Sequence, residues 1–350
     1  MRRQVSNPPN PYESTFREWL EPPPAARLHV YEEQARSIVS ENDSPDLSFR
    51  YSVNPYRGCQ HACAYCYARP THEYLGLGAG TDFDTHITVK INAAELLERE
   101  FERPRWRRDT VAFSGVTDCY QPLEAVYGVT RACLEVCLRK RNPVGVVTKS
   151  YLIVRDADLL AELGRRVRVM VYVSIPFADE RLSRAIEPHA PPPARRFAAV
   201  RALTEAGVPV CVLVSPLIPG LNDREVPRIL SAAAEAGARN AGYSALRLPG
   251  SVKEVFLTRL REALPDHAQR VEALVRQMRG GALNNSAFGE RMRGVGTQWE
   301  AIRQLFRQSC RRFDLNSEVR LALEPPEDPP QPPRLVQLEM FTPDPDKINE

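Results

Sequence analysis

Three cysteines fall within eight residues, Cys59, Cys63 and Cys66 of "RGCQHACAYCY", in a C-x3-C-x2-C spacing. Thiols this close along a chain are metal ligands by type and by spacing. A closed structural zinc site or iron–sulfur cluster takes four protein ligands, and this loop supplies three. His61 or His72 would complete a zinc knuckle. A site left one ligand short is instead open to a substrate or cofactor, the condition of a catalytic metal centre. Cys119, Cys133 and Cys137 make a second trio, but Cys133 and Cys137 stand at i and i+4 on an expected helix, which reads as core packing.

Such a loop must be held by a scaffold, and the chain from 51 to 250 has the pattern of one. Nearly continuous apolar runs at 110–116, 143–150, 167–175, 209–218 and 240–248 predict strands buried on both faces, hence a parallel sheet. Amphipathic stretches between them, "NAAELLEREF", "LEAVYGVTRACLEVCLRKR", "DADLLAELGRR", "ARRFAAVRALTEAG" and "EVPRILSAAAEAG", predict helices, two of them ending at Ala-Gly. Strand then helix, repeated about six times, predicts an α/β fold: a partial (β/α)6 TIM-like barrel. No G-x-G-x-x-G follows the first strand, which disfavours a dinucleotide-binding sheet. Chemistry in a barrel gathers where strands end, so "SGVTD", "TKS", Ser174, "SPLIPGLND" and "RLP" are the places to look.

Around this core the sequence divides into an extended N-terminal arm (1–50, rich in Pro, Asn and Ser), the (β/α)6 core (51–250), a helical extension (251–320) and a tail (321–350) with eight prolines, expected to be disordered. Lys plus Arg number 47 against 44 Asp plus Glu, which excludes a polycation; any nucleic-acid footprint must be local. There is no apolar run of eighteen residues and no hydrophobic leader, so the expected location is the cytoplasm, with no membrane partner. In that reducing compartment eight cysteines do not pair off as disulfides. The run "RPRWRRD" (103–109) reads mainly as a solvated helix end.

The three-cysteine loop ahead of a strand–helix repeat, with Tyr65 before the last cysteine, resembles the radical S-adenosylmethionine (SAM) superfamily. The stretches "SVNPYRGCQHACAYCYARPTHEYLG", "GVTDCYQPLE", "TKSYLIVRDADLL", "EPHAPPPARRFAAVRALTEAG", "LIPGLND" and "RLP" are similar to its bacterial branch related to spore photoproduct lyase, over roughly residues 40–310. The resemblance implies a [4Fe–4S] cluster on Cys59, Cys63 and Cys66, with the fourth iron open to SAM, and reductive cleavage of SAM to a 5′-deoxyadenosyl radical. Carried over by position, it implies that Thr117 and Asp118 receive the SAM amino group and that Lys149, Ser150 and Ser174 lie at its carboxylate. Asp118 also reads as a helix cap. Tyr65 and Tyr67 occupy the lyase's tyrosine positions, whereas its hydrogen-donating cysteine falls near Gly115; Cys119, four residues on, is the substitute candidate.

The implied function is a radical SAM enzyme acting on damaged or modified nucleic acid, DNA foremost, with an electron donor such as flavodoxin or ferredoxin. Radical modification of RNA, a peptide or a metabolite is the alternative within enzymes, and a metal-stabilised adaptor without turnover the alternative outside them. In the tail, "RLVQLEMF" is the one apolar island; Gln337, Leu338, Met340 and Phe341 resemble the peptide by which bacterial repair proteins dock on the DNA sliding clamp.

Overall fold

The computed structural model describes residues 3–14 and 21–317; the expected clamp peptide at 337–341 lies outside the described residues. Among the described residues there are ten strands: β1 His29–Glu33, β2 Val39–Glu41, β3 Tyr51–Val53, β4 Tyr56–Arg57, β5 His86–Lys90, β6 Val111–Phe113, β7 Val144–Thr148, β8 Val169–Ser174, β9 Val210–Leu217 and β10 Asn240–Ala245. Seven form one sheet in the order β10-β9-β8-β7-β6-β3-β2, in which β3 and β6 to β10 run parallel and β2 is antiparallel at the edge. The strands are buried because Val, Ile and Leu face helices on one side and each other on the other: Val53, Phe113, Val146, Val171 and Val212 are all completely enclosed.

The strands follow the apolar runs, with one addition and one systematic difference. The sixth parallel strand is "YSV" at 51–53, too short and too close to Asn54-Pro55 to stand out as a run. The observed strands also stop earlier than the apolar runs do. After β6 the backbone turns left-handed at Ser114 (φ 73°), and the Ser114 Oγ accepts a hydrogen bond from the Cys119 amide at 2.9 Å. A serine hydroxyl thus replaces the next sheet bond and turns 114–119 into a loop over the strand ends. The Ala-Gly helix stops are real: Gly207 and Gly237 take φ of 79° and 93° after the helices Pro193–Glu205 and Val226–Glu235. In each case the next amide, Val208 or Ala238, closes onto a carbonyl five residues back.

In that sheet β10 and β3 stand five strand spacings apart, about 24 Å if measured flat. Ala245 in β10 donates to the Met292 carbonyl at 3.2 Å, while the neighbouring Arg291 and the Gly289 amide hold Asp46, in the loop between β2 and β3. Residues 289–292 therefore link the last parallel strand to the loop ahead of β3. The free edge of β10 is satisfied further along by Asn316, whose side chain both donates to and accepts from the Ala241 backbone. The helix Thr297–Arg312 packs over this end, with Phe306 against Tyr243 at 4.5 Å between ring centroids.

A second small sheet, β1-β5-β4, delivers the chain to the cysteines. β4 ends at Arg57, and Gly58 (φ 81°) turns the chain away; a Cβ there would lie 2.8 Å from the His86 carbonyl oxygen, so no other residue fits. The described N-terminal segment packs behind this loop: Arg3 pairs with Asp84 at 2.6 Å and Thr81 donates its amide to Ser6 at 2.9 Å. No helix among the described residues is long and apolar enough to cross a membrane.

Candidate metal centre and cofactor site

Cys59, Cys63 and Cys66 lie in a loop that the protein fastens from every side. The Cys59 amide donates to the Phe83 carbonyl at 3.1 Å, and the Ala64 amide to the Ile186 carbonyl at 2.9 Å. Gln60 and Gln121 exchange bonds across the gap: the Gln60 amide donates to Gln121 Oε1 (3.1 Å), Gln121 Nε2 donates to the Gly58 carbonyl (3.1 Å), and the Leu123 amide donates to Gln60 Oε1 (3.0 Å). Beneath the loop, fully buried Arg69 donates to the carbonyls of Cys63, Ala79 and Gly80 and to Asp84 Oδ1 at 2.9 Å. A guanidinium is the one side chain whose five donors can hold three carbonyls and a carboxylate at once.

Cys59 and Cys63 are buried and Cys66 is partly buried. Burial pushes the Cys63 thiol up to about 12, with the Glu187 carboxylate adding to the effect and Lys149 opposing it; burial raises Cys59 and Cys66 as well. Metal ligation here must displace protons. Of the two histidines that would complete a zinc knuckle, His61 sets Nδ1 3.2 Å from Asp118 Oδ2, and His72 sets Nε2 2.9 Å from the His86 carbonyl oxygen while its Nδ1 is buried without a hydrogen-bond partner.

The strand ends meet the loop. Asp118 receives the Tyr120 amide and the Thr148 hydroxyl on Oδ1 (2.9 and 2.7 Å) and the Lys149 amide on Oδ2 (2.8 Å). Burial alone would raise this carboxyl; His61 and these hydrogen bonds outweigh it and hold it down at about 2. It ties the end of β6 to the end of β7. Thr117 donates its hydroxyl to the Tyr56 carbonyl at 3.0 Å, and Ser150 caps a short helical turn by accepting from the Leu152 amide. The structure thus gives Thr117, Asp118 and Ser150 bonds within the protein.

Lys149 and Ser174 come together. Lys149 Nζ donates to Ser174 Oγ at 2.7 Å and stands 5.7 Å from the centre of the Tyr65 ring. Behind them sits a fully buried group that sequence reasoning missed. Glu187 accepts from the Tyr65 hydroxyl and from Arg196, and lies 3.7 Å from Lys149 Nζ. Arg196 also donates to the Ser174 carbonyl at 3.1 Å. Burial works against the Glu187 charge, and Arg196 and Lys149 overcome it, lowering its pKa. The signal was present in "EPHAPPPARR", an acid and a base on either side of a proline turn, but only the fold shows that they pair.

Tyr67 and Cys119 have opposite fates. Tyr67 is half exposed and donates its hydroxyl to the Gly115 carbonyl. Cys119 has no exposure and is packed in the core, its carbonyl taken by the Thr130 hydroxyl at 2.6 Å, so the fold does not bring it to the open side of the site. Cys133 and Cys137 are likewise fully enclosed within the helix Val129–Lys140, as helix packing predicts.

The family model described as Radical SAM superfamily matches residues 53–233, just over half of the chain, from the last residue of β3 to the helix after β9. The chain belongs to the radical SAM superfamily. Its relatives include Uncharacterized protein Rv2578c of Mycobacterium tuberculosis, 41% identical over 233 residues that cover 66% of this chain and 68% of the relative. Another is Uncharacterized protein MJ0683 of Methanocaldococcus jannaschii, 29% identical over 57% of this chain and 72% of the relative. Among solved structures, spore photoproduct lyase complexed with dinucleoside spore photoproduct superposes with a TM-score of 0.56 at 16% identity, covering 81% of this chain and 79% of the lyase. A variant of that lyase with bound AdoMet and dinucleoside spore photoproduct gives 0.55 at 16% identity, over 81% and 78%. At that identity the likeness establishes the fold.

Proposed function

We propose that this radical SAM enzyme cleaves SAM reductively at a [4Fe–4S] cluster held by Cys59, Cys63 and Cys66, and acts on damaged or modified nucleic acid. The observation that carries the first half is the set of three thiols in a hydrogen-bonded loop, two buried and one partly buried, with Lys149 over the Tyr65 ring of that loop and bonded to Ser174. Among the described residues no three His, Cys, Asp or Glu side chains gather as ligands to a single ion. A tetrahedral zinc would draw its sulfurs to within about 3.8 Å of one another. A four-iron cluster gives each thiolate its own iron and leaves one iron open, which suits a donor set of three.

When bound, the cluster and SAM supply a one-electron cleavage that no side chain can perform and that yields a 5′-deoxyadenosyl radical. The protein's residues bind and orient. Lys149 Nζ and Ser174 Oγ are donors suited to the SAM carboxylate. Asp118 fixes the backbone at Thr148 and Lys149, so that the lysine leaves the strand end in one direction. Glu187 and Arg196 anchor Tyr65 beside the loop and keep water from the inner side. Tyr67, facing outward, is the tyrosine within reach of substrate.

The nucleic-acid half is supported by the fold shared with spore photoproduct lyase, described with dinucleoside spore photoproduct bound. An electron must come from a reduced partner of the flavodoxin or ferredoxin kind. The deciding experiment is anaerobic reconstitution with iron and sulfide, reduction with dithionite and measurement of 5′-deoxyadenosine, followed by turnover on a panel of lesion-bearing oligonucleotides. A fully loaded protein that forms no 5′-deoxyadenosine overturns the enzyme assignment; 5′-deoxyadenosine without a change in any nucleic acid overturns the substrate class.

A further inference from the structure

Where β10 ends, three arginines crowd together, and two of them have oxygen acceptors. Buried Arg279 spreads its terminal N–H groups over the carbonyls of Leu246, Glu290, Arg291 and Arg293, although its Nε is buried without a partner. Arg291 is paired with Asp46 and the Ser44 hydroxyl. Arg247 is the exception. Its Nη1 reaches only the Met292 sulfur at 3.8 Å, and its Nε is buried without a hydrogen-bond partner. The acidic group acting on it, Asp46, is already engaged by Arg291 and the Gly289 amide. Burial and the Arg291 charge both oppose its own.

A guanidinium carries five donors and does not give up its proton in a protein. Held half-buried among other cations with one weak sulfur contact, it is short of an anion. Its position says whose. The Arg247 guanidinium lies 5.8 Å from the centre of the Tyr67 ring, close enough for the ring face to hold it, and Tyr67 follows the last cluster cysteine while bonding to Gly115 at the end of β6. The SAM carboxylate has Lys149 and Ser174. Arg247 therefore faces the other ligand, across the open side of the site.

We propose that Arg247, propped on Tyr67 at the end of the last strand, binds a backbone phosphate of the nucleic-acid substrate and so sets which nucleotide stands over the cysteine loop. This rests on the nucleic-acid reading above and sharpens it: the substrate is recognised as a phosphodiester strand, through the bidentate fork that suits phosphate oxygens, and not as a free base or nucleoside.

The test compares two fluorescein-labelled thymidine decamers, one with phosphodiester and one with uncharged methylphosphonate linkages, bound to the anaerobically reconstituted full chain with SAM and followed by fluorescence anisotropy. Wild type should prefer the phosphodiester strand. Arg247→Ala should weaken that strand at least about tenfold, flatten the slope of log K against log salt by about 0.7 and leave the methylphosphonate strand and SAM affinity unchanged. Arg247→Lys, which keeps the charge and loses the fork, should fall between, and Lys253→Ala, an exposed cation nearby in sequence, should change nothing. Phosphodiester affinity unmoved in Arg247→Ala overturns the assignment of Arg247 alone. Wild type that binds neither strand overturns the nucleic-acid reading and this inference with it.

Discussion

Cys63→Ala protein, reconstituted without oxygen, is expected to hold no four-iron cluster and to form no detectable 5′-deoxyadenosine, while unfolding in denaturant within about 1 kcal/mol of the metal-free wild type. The loss is total because a three-thiolate set has no spare ligand. The small stability change follows from the loop's own hydrogen bonds, which involve the backbone and Arg69 and not the sulfur. Cys119→Ala is the matching control. That thiol is sealed in the core, so its removal should cost about 1 kcal/mol of stability and leave cluster content and 5′-deoxyadenosine intact. Clusters retained in Cys63→Ala, or lost in Cys119→Ala, would reverse the assignment of the two cysteine trios.

Arg196→Met should be the most damaging single change outside the cysteine loop. It strips the fully buried Glu187 of its close cation, leaving the Tyr65 and Ser183 hydroxyls and Lys149 at 3.7 Å, and breaking such a pair costs about 3–5 kcal/mol. It also frees the Ser174 carbonyl and Tyr65, so SAM affinity should drop along with stability. The double change Glu187→Gln with Arg196→Met removes the stranded charge and should recover a good part of the stability but not the SAM affinity. Chemical denaturation of the metal-free proteins and SAM titration of the reconstituted ones separate the two effects. A single variant within 1 kcal/mol of wild type would mean that Lys149 alone can support Glu187.

These residues also show what was legible in advance. The cysteines were read from spacing, and five of the six parallel strands from apolar runs, because a parallel strand buried on both faces must be apolar throughout. The sixth, Tyr51–Val53, was not, since Ser52 interrupts it and Asn54-Pro55 follow at once, leaving no run. Lys149 and Ser174 were found through resemblance and are adjacent in the fold. Asp118, expected to meet the SAM amino group, has both oxygens occupied by Tyr120, Thr148 and Lys149, bonds between strand ends that no local pattern announces. Glu187, Arg196 and Gln121 escaped for the same reason: their partners lie tens of residues away or across a proline turn. Arg247 was seen only as part of "RLP"; what singles it out is the absence of an acceptor, a property of the packed neighbourhood.

The clasp of Gln60 and Gln121, with Arg69 beneath and Phe83 and Ile186 at the sides, has a bearing on how the enzyme is assembled and how it survives damage. In a zinc finger, metal binding and folding are one event. Here the loop's path is held by amides and a guanidinium, bonds that do not pass through the sulfurs. For the proposed iron–sulfur cluster, oxidative loss is expected to leave that path in place, so that added iron and sulfide restore the cluster without new synthesis.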